Sequence, residues 1–592
     1  MTNFRDIRQK APYPYYYVDK TKYIKTVEDS NNFYFFIRPR RFGKTLFMEM
    51  MKYYYDVKWK EEWEDMFGGL WIGSHPTPLR SSFLVIGLDF SIIDGGLNDY
   101  RGSMDEICST AFEDFADRYS DILSPEFKQE VKGKKGAVAQ LNFICTRCKN
   151  LNLPLYLFID EYDHFTNDIL SDATKLKAYE DETHGEGYLR KFFNAIKEGS
   201  KTSLKKIFIT GVSPVTMDDV TSGFNIGTNY TSDSCMNAAM GFTETEVRDM
   251  LAYYEKETET FKHTVDELIE IMKPWYNHYC FAEECLEDPS VFNSDMVLHF
   301  VHDYLRQETI PRQMIDDNVR TDYNKLRMLI RKDHIGESSN LSKIQQIARD
   351  GCIVSKIVSN FPARDIIKDE NFISLLYYFG LLTISGRNEY GEIVLGIPNK
   401  CIEEQTYRYL LDAYEDNGLT ANESQLRLLL RNMAFKGDYR PFFQFESDTL
   451  KHYSTHREKQ QSEALIQSFI KGQICLNPYY LSLAEEDLLI DAGYADLYFM
   501  PRREQYPAMQ YAYIIELKYA KPDATEAVIN SKLRDAVEKA NRYAASEKVQ
   551  TTLQGTTLKK IVALFKGVEL LKCCEIEELE KEFAETEKQA RE

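Results

Sequence analysis

The sequence lacks any apolar run long enough to cross a membrane. No segment approaches the ~18–20 apolar residues that a spanning helix needs. Its first residues, Met-Thr-Asn-Phe-Arg-Asp-Ile-Arg, have no apolar core of a secretory signal. It also lacks internal repeats and low-complexity linkers, so its domains are expected to pack against one another. We therefore expect a cytoplasmic protein with no membrane partner.

The chain has no excess of positive charge, and paired cysteines are scarce. A net charge of −20 argues against a chain that coats nucleic acid with its whole surface. A nuclease cleft is not excluded, because it can be locally basic and a metal ion offsets acidic side chains. Cys145 and Cys148 form one Cys-x-x-Cys, but no second pair stands at the spacing of a structural zinc site. We predict reduced thiols rather than a zinc or redox centre.

The chain does have the length and apolar content for several cores. Its 592 residues suggest three to four domains, and 43% of them are hydrophobic. The first ~235 residues alternate between strand and helix patterns, which predicts an α/β domain. Short apolar runs bounded by turn residues are typical of buried parallel strands. Such strands are predicted at residues 33–37, 83–90, 155–159 and 207–210.

From Gly241 onward the patterns become mostly helical. Thr243-Glu-Thr-Glu246 has the spacing of a capping box that opens a helix. Residues 243–435 show few strand signals apart from a hairpin of 381–385 with 393–397, which together predict a helical, winged-helix-like region. A third region follows from ~440. Its predicted helices are 461–471, 535–546 and a solvated tail at 576–592, and its predicted strands are 488–491, 494–500, 512–518 and 560–565.

A phosphate-binding loop is predicted where the first strand ends. Arg38-Pro-Arg-Arg-Phe-Gly-Lys-Thr45 joins that strand to a helical pattern, as in loops that cradle a triphosphate. The lysine would neutralise the β- and γ-phosphates, the threonine would coordinate Mg²⁺, and the glycine allows close backbone approach. The general pattern has a glycine at Arg38, so a basic strand-to-helix turn is the alternative. The predicted nucleotide-binding residues of the loop are Arg40, Arg41, Gly43, Lys44 and Thr45.

Two further predicted strands end in side chains of the kinds that an ATP site uses. Asp160 and Glu161 follow the strand at 155–159, and an acid at the end of a buried strand needs a cation or a hydrogen-bond partner. Asp160 would join the Mg²⁺ shell, and Glu161 would orient the attacking water. Thr210 or Ser213, at the end of the next strand, would sense the γ-phosphate. Ordinary capping of strand ends is the alternative, but three such strands together favour ATP.

A second candidate site lies in the last third of the chain. Glu516 and Lys518 stand at i and i+2 of an apolar strand, so they share a face, and Asp496 precedes them on a predicted neighbouring strand. Metal-dependent phosphodiester hydrolysis needs carboxylates to place the ion and a group to position the water. We predict Asp496, Glu516 and Lys518 as catalytic residues, with Asp496, Glu516 and Glu463 as Mg²⁺ ligands. A surface salt bridge between Glu516 and Lys518 is the alternative.

As a set, these motifs resemble the AAA-ATPase-like family fused to a C-terminal PD-(D/E)xK nuclease domain. Its loop typically reads Arg-Pro-Arg-Arg-Phe-Gly-Lys-Ser/Thr, so the missing first glycine is a family trait. The resemblance implies a P-loop NTPase-like parallel sheet, a helical or winged-helix-like middle region and a restriction-endonuclease-like α/β domain, which we assign to residues 1–240, 241–435 and 436–592. Further motifs that carry it are Tyr17-Val-Asp-Lys-Thr21, Ile159-Asp-Glu-Tyr-Asp163, Thr210-Gly-Val-Ser213, Gly241-Phe-Thr-Glu-Thr-Glu246 and Trp275-Tyr-Asn-His-Tyr279.

The chain departs from the family pattern at three places. His278 replaces the glycine of Trp-Tyr-x-Gly-Tyr, and Lys539 stands where the nuclease helix usually presents a glutamine before its tyrosine, here Tyr543. The acid strand usually reads Gly-Arg-x-Asp, and here it is Gly493-Tyr-Ala-Asp496. The departures leave the predicted metal-binding core intact but put contacts to the substrate backbone in doubt.

The combined reading is an ATP-binding and ATP-hydrolysing protein with a Mg²⁺-dependent nuclease domain. Nucleotide state would control cleavage of nucleic acid, with DNA favoured over RNA. The alternative is a degenerate nuclease domain that only binds nucleic acid or a protein, under an ATP-dependent switch or sensor. A homo-oligomer stays open, because ATPases of this type often take an arginine from a neighbouring subunit.

Overall fold

The computed structural model divides into two compact units: Met1–Leu329 with Ile353–Ile402, and Ile330–Cys352 with Glu403–Glu592. Within the residues it describes, no helix is both long and apolar enough to cross a bilayer. The described residues are 3–9, 16–92, 100–164, 187–215, 227–258, 261–286, 290–311, 313–316, 340–366, 368–416, 418–454, 463–477, 479–483, 497–503, 505–553 and 555–591.

The first unit contains a five-stranded parallel sheet. Its strands are β1 Phe33–Ile37, β2 Leu84–Asp89, β3 Leu155–Asp160, β4 Leu204–Gly211 and β5 Thr228–Asn229. They lie in the order β2-β3-β4-β1-β5, so the strand ends that carry the predicted nucleotide residues meet at one edge. All six residues of β3 are buried, as expected for a sheet covered on both faces. The four strands predicted for this region are confirmed.

Helices cover this sheet. The helix that follows β1 packs against β2 and β3, and the helix that precedes β4 packs against that strand. The α-helices are α1 Phe4–Arg8, α2 Lys22–Asp29, α3 Lys44–Tyr55, α4 Trp63–Phe67, α5 Trp71–Ser74, α6 Tyr100–Arg118, α7 Ser120–Leu123, α8 Phe127–Lys132, α9 Ala137–Asn150 and α10 Tyr188–Ser200. Aromatic rings fill the sheet core, where Tyr34 stacks between Phe208 and Tyr230 with ring centroids 5.6 and 4.0 Å away.

The middle of the chain is mostly helical, as predicted. Its helices are α11 Glu244–Glu257, α12 Val265–Tyr276, α13 Ser294–Gln307, α14 Asn340–Asp350, α15 Asp369–Tyr378 and α16 Lys400–Asp416. Its short strands are β6 Phe242–Thr243, β7 Val291–Phe292, β8 Cys352–Val354, β9 Thr383–Arg387 and β10 Ile393–Gly396. The capping box at Thr243 and Glu246 opens α11, and β9 and β10 form the predicted antiparallel hairpin.

The second unit contains a mixed five-stranded sheet in the order β11-β12-β13-β14-β15. Its strands are β11 Tyr480–Leu483, β12 Leu497–Pro501, β13 Tyr511–Ala520, β14 Thr557–Lys566 and β15 Glu569–Glu575. Its remaining helices are α17 Glu423–Lys436, α18 Arg440–Ser454, α19 Glu463–Cys475, α20 Glu526–Ala544, α21 Glu547–Thr552 and α22 Ile576–Arg591. Strands β13 and β14 are parallel, because α20 carries the chain back across the sheet between them.

The structure corrects three details of the C-terminal prediction. Strand β15 follows the strand that was predicted to be the last, and α20 begins at Glu526, nine residues before the predicted start. Helix α22 is not merely solvated, because Ile576 and Leu579 are fully buried in the core beside α20 and β14. The predicted strand at 488–491 lies outside the described residues. The resulting α/β architecture with a helical middle confirms the predicted fold class.

Candidate functional site

The loop between β1 and α3 is shaped to receive an anion. Helix α3 begins at Lys44, directly after Gly43 with φ +88°, and no side chain caps its first turn. Backbone N–H groups at such a helix start are available to a phosphate. Lys44 is buried and its Nζ donates to the carbonyl oxygen of Pro39 at 3.0 Å. The loop therefore combines open N–H groups with an ammonium group, the donors that a phosphate chain requires.

Thr45 and Asp160 supply oxygens of the kind that Mg²⁺ binds. Thr45 Oγ1 donates to Asp160 Oδ2 at 2.9 Å. Burial raises the pKa of Asp160, while Lys44 and the Thr45 hydroxyl oppose that rise. Asp89, at the end of the adjacent strand β2, also raises it. A hydroxyl and a carboxylate in contact fit the proposed metal, because Mg²⁺ takes hard oxygen ligands.

Glu161 adopts a strained backbone conformation next to this pair. Its φ is +47°, a left-handed geometry that costs a non-glycine residue roughly 1–2 kcal/mol. The carboxylate approaches His164, with Oε2 3.7 Å from Nδ1. The interaction with His164, followed by the charges of Lys44 and Arg40, lowers the pKa of Glu161 despite its burial. These interactions favour the ionised form of Glu161, and His164 is a neighbour that the sequence did not predict.

The three arginines of the loop have different environments. Arg38 is fully buried between the rings of Phe36 and Phe281, 4.3 and 4.2 Å from their centroids. Its guanidinium donates to the carbonyl oxygens of Thr231 at 2.6 Å and Met236 at 2.9 Å. Burial lowers the pKa of Arg38 to about 10. Arg38, which replaces the first glycine of the general pattern, therefore braces the loop from inside the core.

Arg40 and Arg41 lie nearer the solvent. Arg40 is half-buried, and its charge lowers the pKa values of both Lys44 and Glu161, which places it on the side of the predicted phosphates. Arg41 has φ +67°, and its Nη1 lies 2.7 Å from Asp295 Oδ2. The carbonyl oxygen of Arg41 also accepts from Ser294 Oγ at 3.0 Å. The start of α13 therefore fixes Arg41.

Other residues of the middle region hold the same loop in place. Phe42 meets the Tyr279 ring edge-on with centroids 4.8 Å apart, and its carbonyl oxygen accepts from Gly241 N at 3.0 Å. Gly380, with φ +77°, packs so closely that a Cβ there would lie 2.8 Å from Pro39. The motifs at Gly241 and Tyr279 thus act on the loop conformation. Packing against these residues holds this loop rigid, whereas a glycine-rich phosphate loop is held by its own tight turn.

Thr210 and Ser213, the predicted γ-phosphate sensors, lie in and just beyond the end of β4. Thr210 is fully buried, and its hydroxyl donates to the Phe36 carbonyl oxygen at 2.7 Å. The Asp163 carboxylate accepts from Ser213 N at 2.6 Å, and also from Val212 N at 3.1 Å. Burial raises the pKa of Asp163 to about 6. Asp163 therefore fixes the segment that follows β4, and the sensing role stays a prediction.

The second candidate site is centred on β13. Glu516 is fully buried, and the Nζ of Lys518 lies 2.8 Å from its Oε2, so both residues are on one face of the sheet. A fully buried carboxylate rules out an exposed surface salt bridge. Strand β12 pairs antiparallel with β13, with Leu497 opposite Ile515. The described residues thus bring together one carboxylate and one ammonium group of the predicted set.

The other predicted metal ligands are not described. Asp496 lies outside the described residues, and α19 begins at Glu463, whose side chain is also outside them. Within the described part of the chain, no group of three or more His, Cys, Asp or Glu side chains is arranged to hold a metal. Glu516 fits a metal ligand by its chemistry, and the complete ligand set stays a prediction.

Asp535 on α20 joins this site and was not predicted. Its Oδ2 lies 3.4 Å from the Nζ of Lys518 and 3.4 Å from the Nζ of Lys539. Burial opposes ionisation, but the two ammonium groups together lower the pKa of Asp535. The i, i+4 spacing of Asp535 and Lys539 is visible in the sequence. Their approach to Lys518 depends on how α20 crosses the sheet.

These features define two classes of domain in one chain: a P-loop NTPase-like domain and a nuclease-like α/β domain. Residues 1–221 match the family model described as "Predicted AAA-ATPase", and residues 461–575 match the PD-(D/E)XK nuclease superfamily. The chain therefore carries an AAA-ATPase-like domain followed by a PD-(D/E)XK nuclease superfamily domain. The resemblance seen in its motifs is confirmed.

Two individual proteins show more distant similarity. The chain is 26% identical over 286 residues to an uncharacterized protein in the vnfD 5′ region of Azotobacter chroococcum mcd 1. That match spans 46% of this chain and 47% of the relative, about half of each. The crystal structure of Cdc6p from Pyrobaculum aerophilum aligns with 66% of this chain and 91% of its own, at 10% identity and a TM-score of 0.24. At that TM-score the likeness carries no argument.

Proposed function

We propose that this protein binds and hydrolyses Mg²⁺-ATP and that its C-terminal domain is a Mg²⁺-dependent nuclease controlled by nucleotide state. The contact between Thr45 and Asp160, beside Lys44, supports the ATPase. The buried pair of Glu516 and Lys518 in a PD-(D/E)XK superfamily domain supports the nuclease. We place the protein in the cytoplasm, with domains at 1–240, 241–435 and 436–592, and leave homo-oligomers open.

In the ATP site, the residues around the loop would divide the work. Lys44 and Arg40 would neutralise the phosphates, Gly43 lets the backbone approach them, and Thr45 and Asp160 would hold Mg²⁺. When bound, Mg²⁺ supplies charge neutralisation at the phosphate oxygens. Glu161, kept ionised, would orient the attacking water. We further propose that Arg41 and Thr210 adjoin the nucleotide.

In the nuclease site, Glu516 would hold Mg²⁺ with Asp496 and Glu463 as further ligands. When bound, the ion polarises the scissile phosphate and acidifies a water. Lys518, anchored 2.8 Å from Glu516, would position that water and offset charge that develops on the phosphate. Nucleic acid is the proposed substrate, with DNA favoured over RNA.

The test incubates the purified full chain with plasmid, linear duplex DNA and RNA, in Mg²⁺, with and without ATP. We expect cleavage that ATP changes, and a loss of about 10²–10³-fold in Glu516→Gln and Lys518→Ala with ATPase activity retained. Lys559→Ala is the matched control, because Lys559 pairs with Glu575 on the opposite face of the same sheet. Full cleavage by Lys518→Ala would exclude its assigned role.

The ATP half is tested separately with Lys44→Ala, which should abolish ATP turnover. Lys52→Ala is its control, since Lys52 lies on the same helix and pairs with Glu49. Unchanged turnover in Lys44→Ala would contradict the proposed site. If Lys44→Ala also loses the effect of ATP on cleavage, nucleotide control is supported.

A second candidate function is a degenerate nuclease domain that only binds nucleic acid or a protein. The replacement of glutamine by Lys539 favours it, as does the net charge of −20. Titration with Mn²⁺ separates the two functions. A cation bound by the wild type and lost in Glu516→Gln supports cleavage, whereas no bound cation at high Mn²⁺ supports degeneracy.

A further inference from the structure

Four charged side chains of alternating sign lead from the core of the second sheet to its surface. The carboxylate of Glu516 contacts the ammonium of Lys518 at 2.8 Å. Lys518 contacts Asp535 at 3.4 Å, and Asp535 contacts Lys539 at 3.4 Å. The exposed fraction of the side chain is 0% for Glu516, 10% for Lys518 and 34% for Lys539. Of the two ammonium groups, that of Lys539 is the more exposed and is therefore the one that a large ligand contacts first.

The pair of Asp535 and Lys539 contributes little to the stability of the helix. Asp535 is 51% exposed, and exposed ion pairs at i, i+4 are weak and screened by salt. Asp535 also carries one negative charge against two ammonium groups. A phosphate oxygen forms the same kind of charge-assisted hydrogen bond with a lysine as a carboxylate does, so it can take the place of this weakly held, exposed partner.

We propose that Lys539 is a contact for a backbone phosphate of nucleic acid, and that Asp535 positions it beside Glu516 and Lys518. This proposal rests on the proposed nuclease function. Lysine at the position where a glutamine is expected then keeps a hydrogen-bond donor and adds a charge. In a chain of net charge −20, attraction of the phosphates depends on local cations, so the loss of one contact should be measurable.

Salt dependence of binding tests this role without cleavage. The full-length wild type and Lys539→Gln are titrated against a labelled DNA duplex in EDTA over a range of KCl concentrations. Loss of one phosphate contact should reduce the slope of log K against log[KCl] by about 0.9 in magnitude, or about 0.7 for a single strand. Lys539→Arg should keep the wild-type slope, because the charge is retained.

Lys581→Gln on α22 is the matched control, because it removes the same charge from an exposed residue elsewhere in the same unit and should leave the slope unchanged. An unchanged slope in Lys539→Gln, with a wild type that binds DNA, overturns the phosphate contact and leaves the nuclease proposal standing. A wild type that binds neither DNA nor RNA at any salt concentration overturns both. A protein-binding function of this domain then becomes the better explanation.

Discussion

The Thr45 hydroxyl reaches the Asp160 carboxylate at 2.9 Å, although 115 positions separate the two residues in the chain. The contact joins the start of α3 to the end of β3. Strand β4 lies between β1 and β3 in the sheet, so only the loop after β1 brings Thr45 to that carboxylate.

Thr45→Ala should therefore weaken ATP binding only when Mg²⁺ is present. The variant removes one metal ligand, and we expect at least about a tenfold loss of affinity for Mg²⁺-ATP, equivalent to ~1.4 kcal/mol. Equilibrium binding of a fluorescent ATP analogue measures this, with an EDTA series as the control. Equal losses with and without Mg²⁺ would show that Thr45 contacts the nucleotide in another way.

Arg38→Met should lower stability, whereas Arg40→Met should lower nucleotide affinity. Without Arg38, the buried carbonyl group of Thr231 loses its guanidinium donor and that of Met236 keeps the Ala239 N–H, and the change should cost about 2–4 kcal/mol. Arg40 is half-buried beside Lys44, so its loss should weaken ATP binding by roughly tenfold or more with little change in stability. Urea unfolding and ATP titration of both variants measure the two effects. A reversed pattern would mean that Arg38, not Arg40, faces the phosphates.

Asp163 should make the stability of the first unit depend on pH. Burial raises its folded-state pKa to about 6 from the usual 3.8, so the folded protein binds this proton more tightly than the unfolded chain. The resulting stabilisation is full below about pH 4 and is lost as the pH rises through 6. Relative to Asp163→Asn, the wild type should lose on the order of 2–3 kcal/mol between pH 4 and 7. Urea unfolding at several pH values measures the difference, and a constant difference would contradict this assignment.

His278 should be one position where glycine is more stable than alanine. Its φ of +73° shows that the backbone keeps the left-handed geometry although the expected glycine is missing. A non-glycine residue in this geometry costs ~1–2 kcal/mol of strain, which is more than the stability that glycine loses through the greater entropy of its unfolded chain. The free energy of unfolding of His278→Gly should therefore exceed that of His278→Ala by about 1 kcal/mol. The same pair at Asp249, an exposed site inside α11, should show the opposite order. Unfolding midpoints of the four variants decide this, and the same order at both sites would argue against strain at His278.

The elements that depend on short stretches of the chain were predictable from the sequence. Strands β1 to β4 are apolar runs bounded by turns, and the capping box at Thr243 is a pattern of four residues. The contacts of Arg41 with Asp295, and of Pro39 with Gly380, were not predictable because hundreds of residues separate the partners. The packing of α22 was not predicted, because the helix is rich in acidic residues and the sequence does not show that Ile576 and Leu579 are buried.

The candidate sites follow the same division. Lys44, Thr45 and Asp160 stand in recognisable motifs, and the structure brings Thr45 and Asp160 into contact. His164 carries no motif of its own, and it matters only because the turn after β3 brings it to Glu161. Asp535 contacts Lys518 from a different element, so their spacing along the chain could not predict this contact.

The first unit is discontinuous, because it resumes at Ile353 and ends at Ile402. Gly380, which packs against Pro39, belongs to that returning segment. During synthesis on the ribosome, some 340 further residues must therefore be made after the phosphate loop before Gly380 can pack against it. A gene fragment that ends at residue 240 would encode the entire loop but not Tyr279, Asp295 or Gly380, which pack against it.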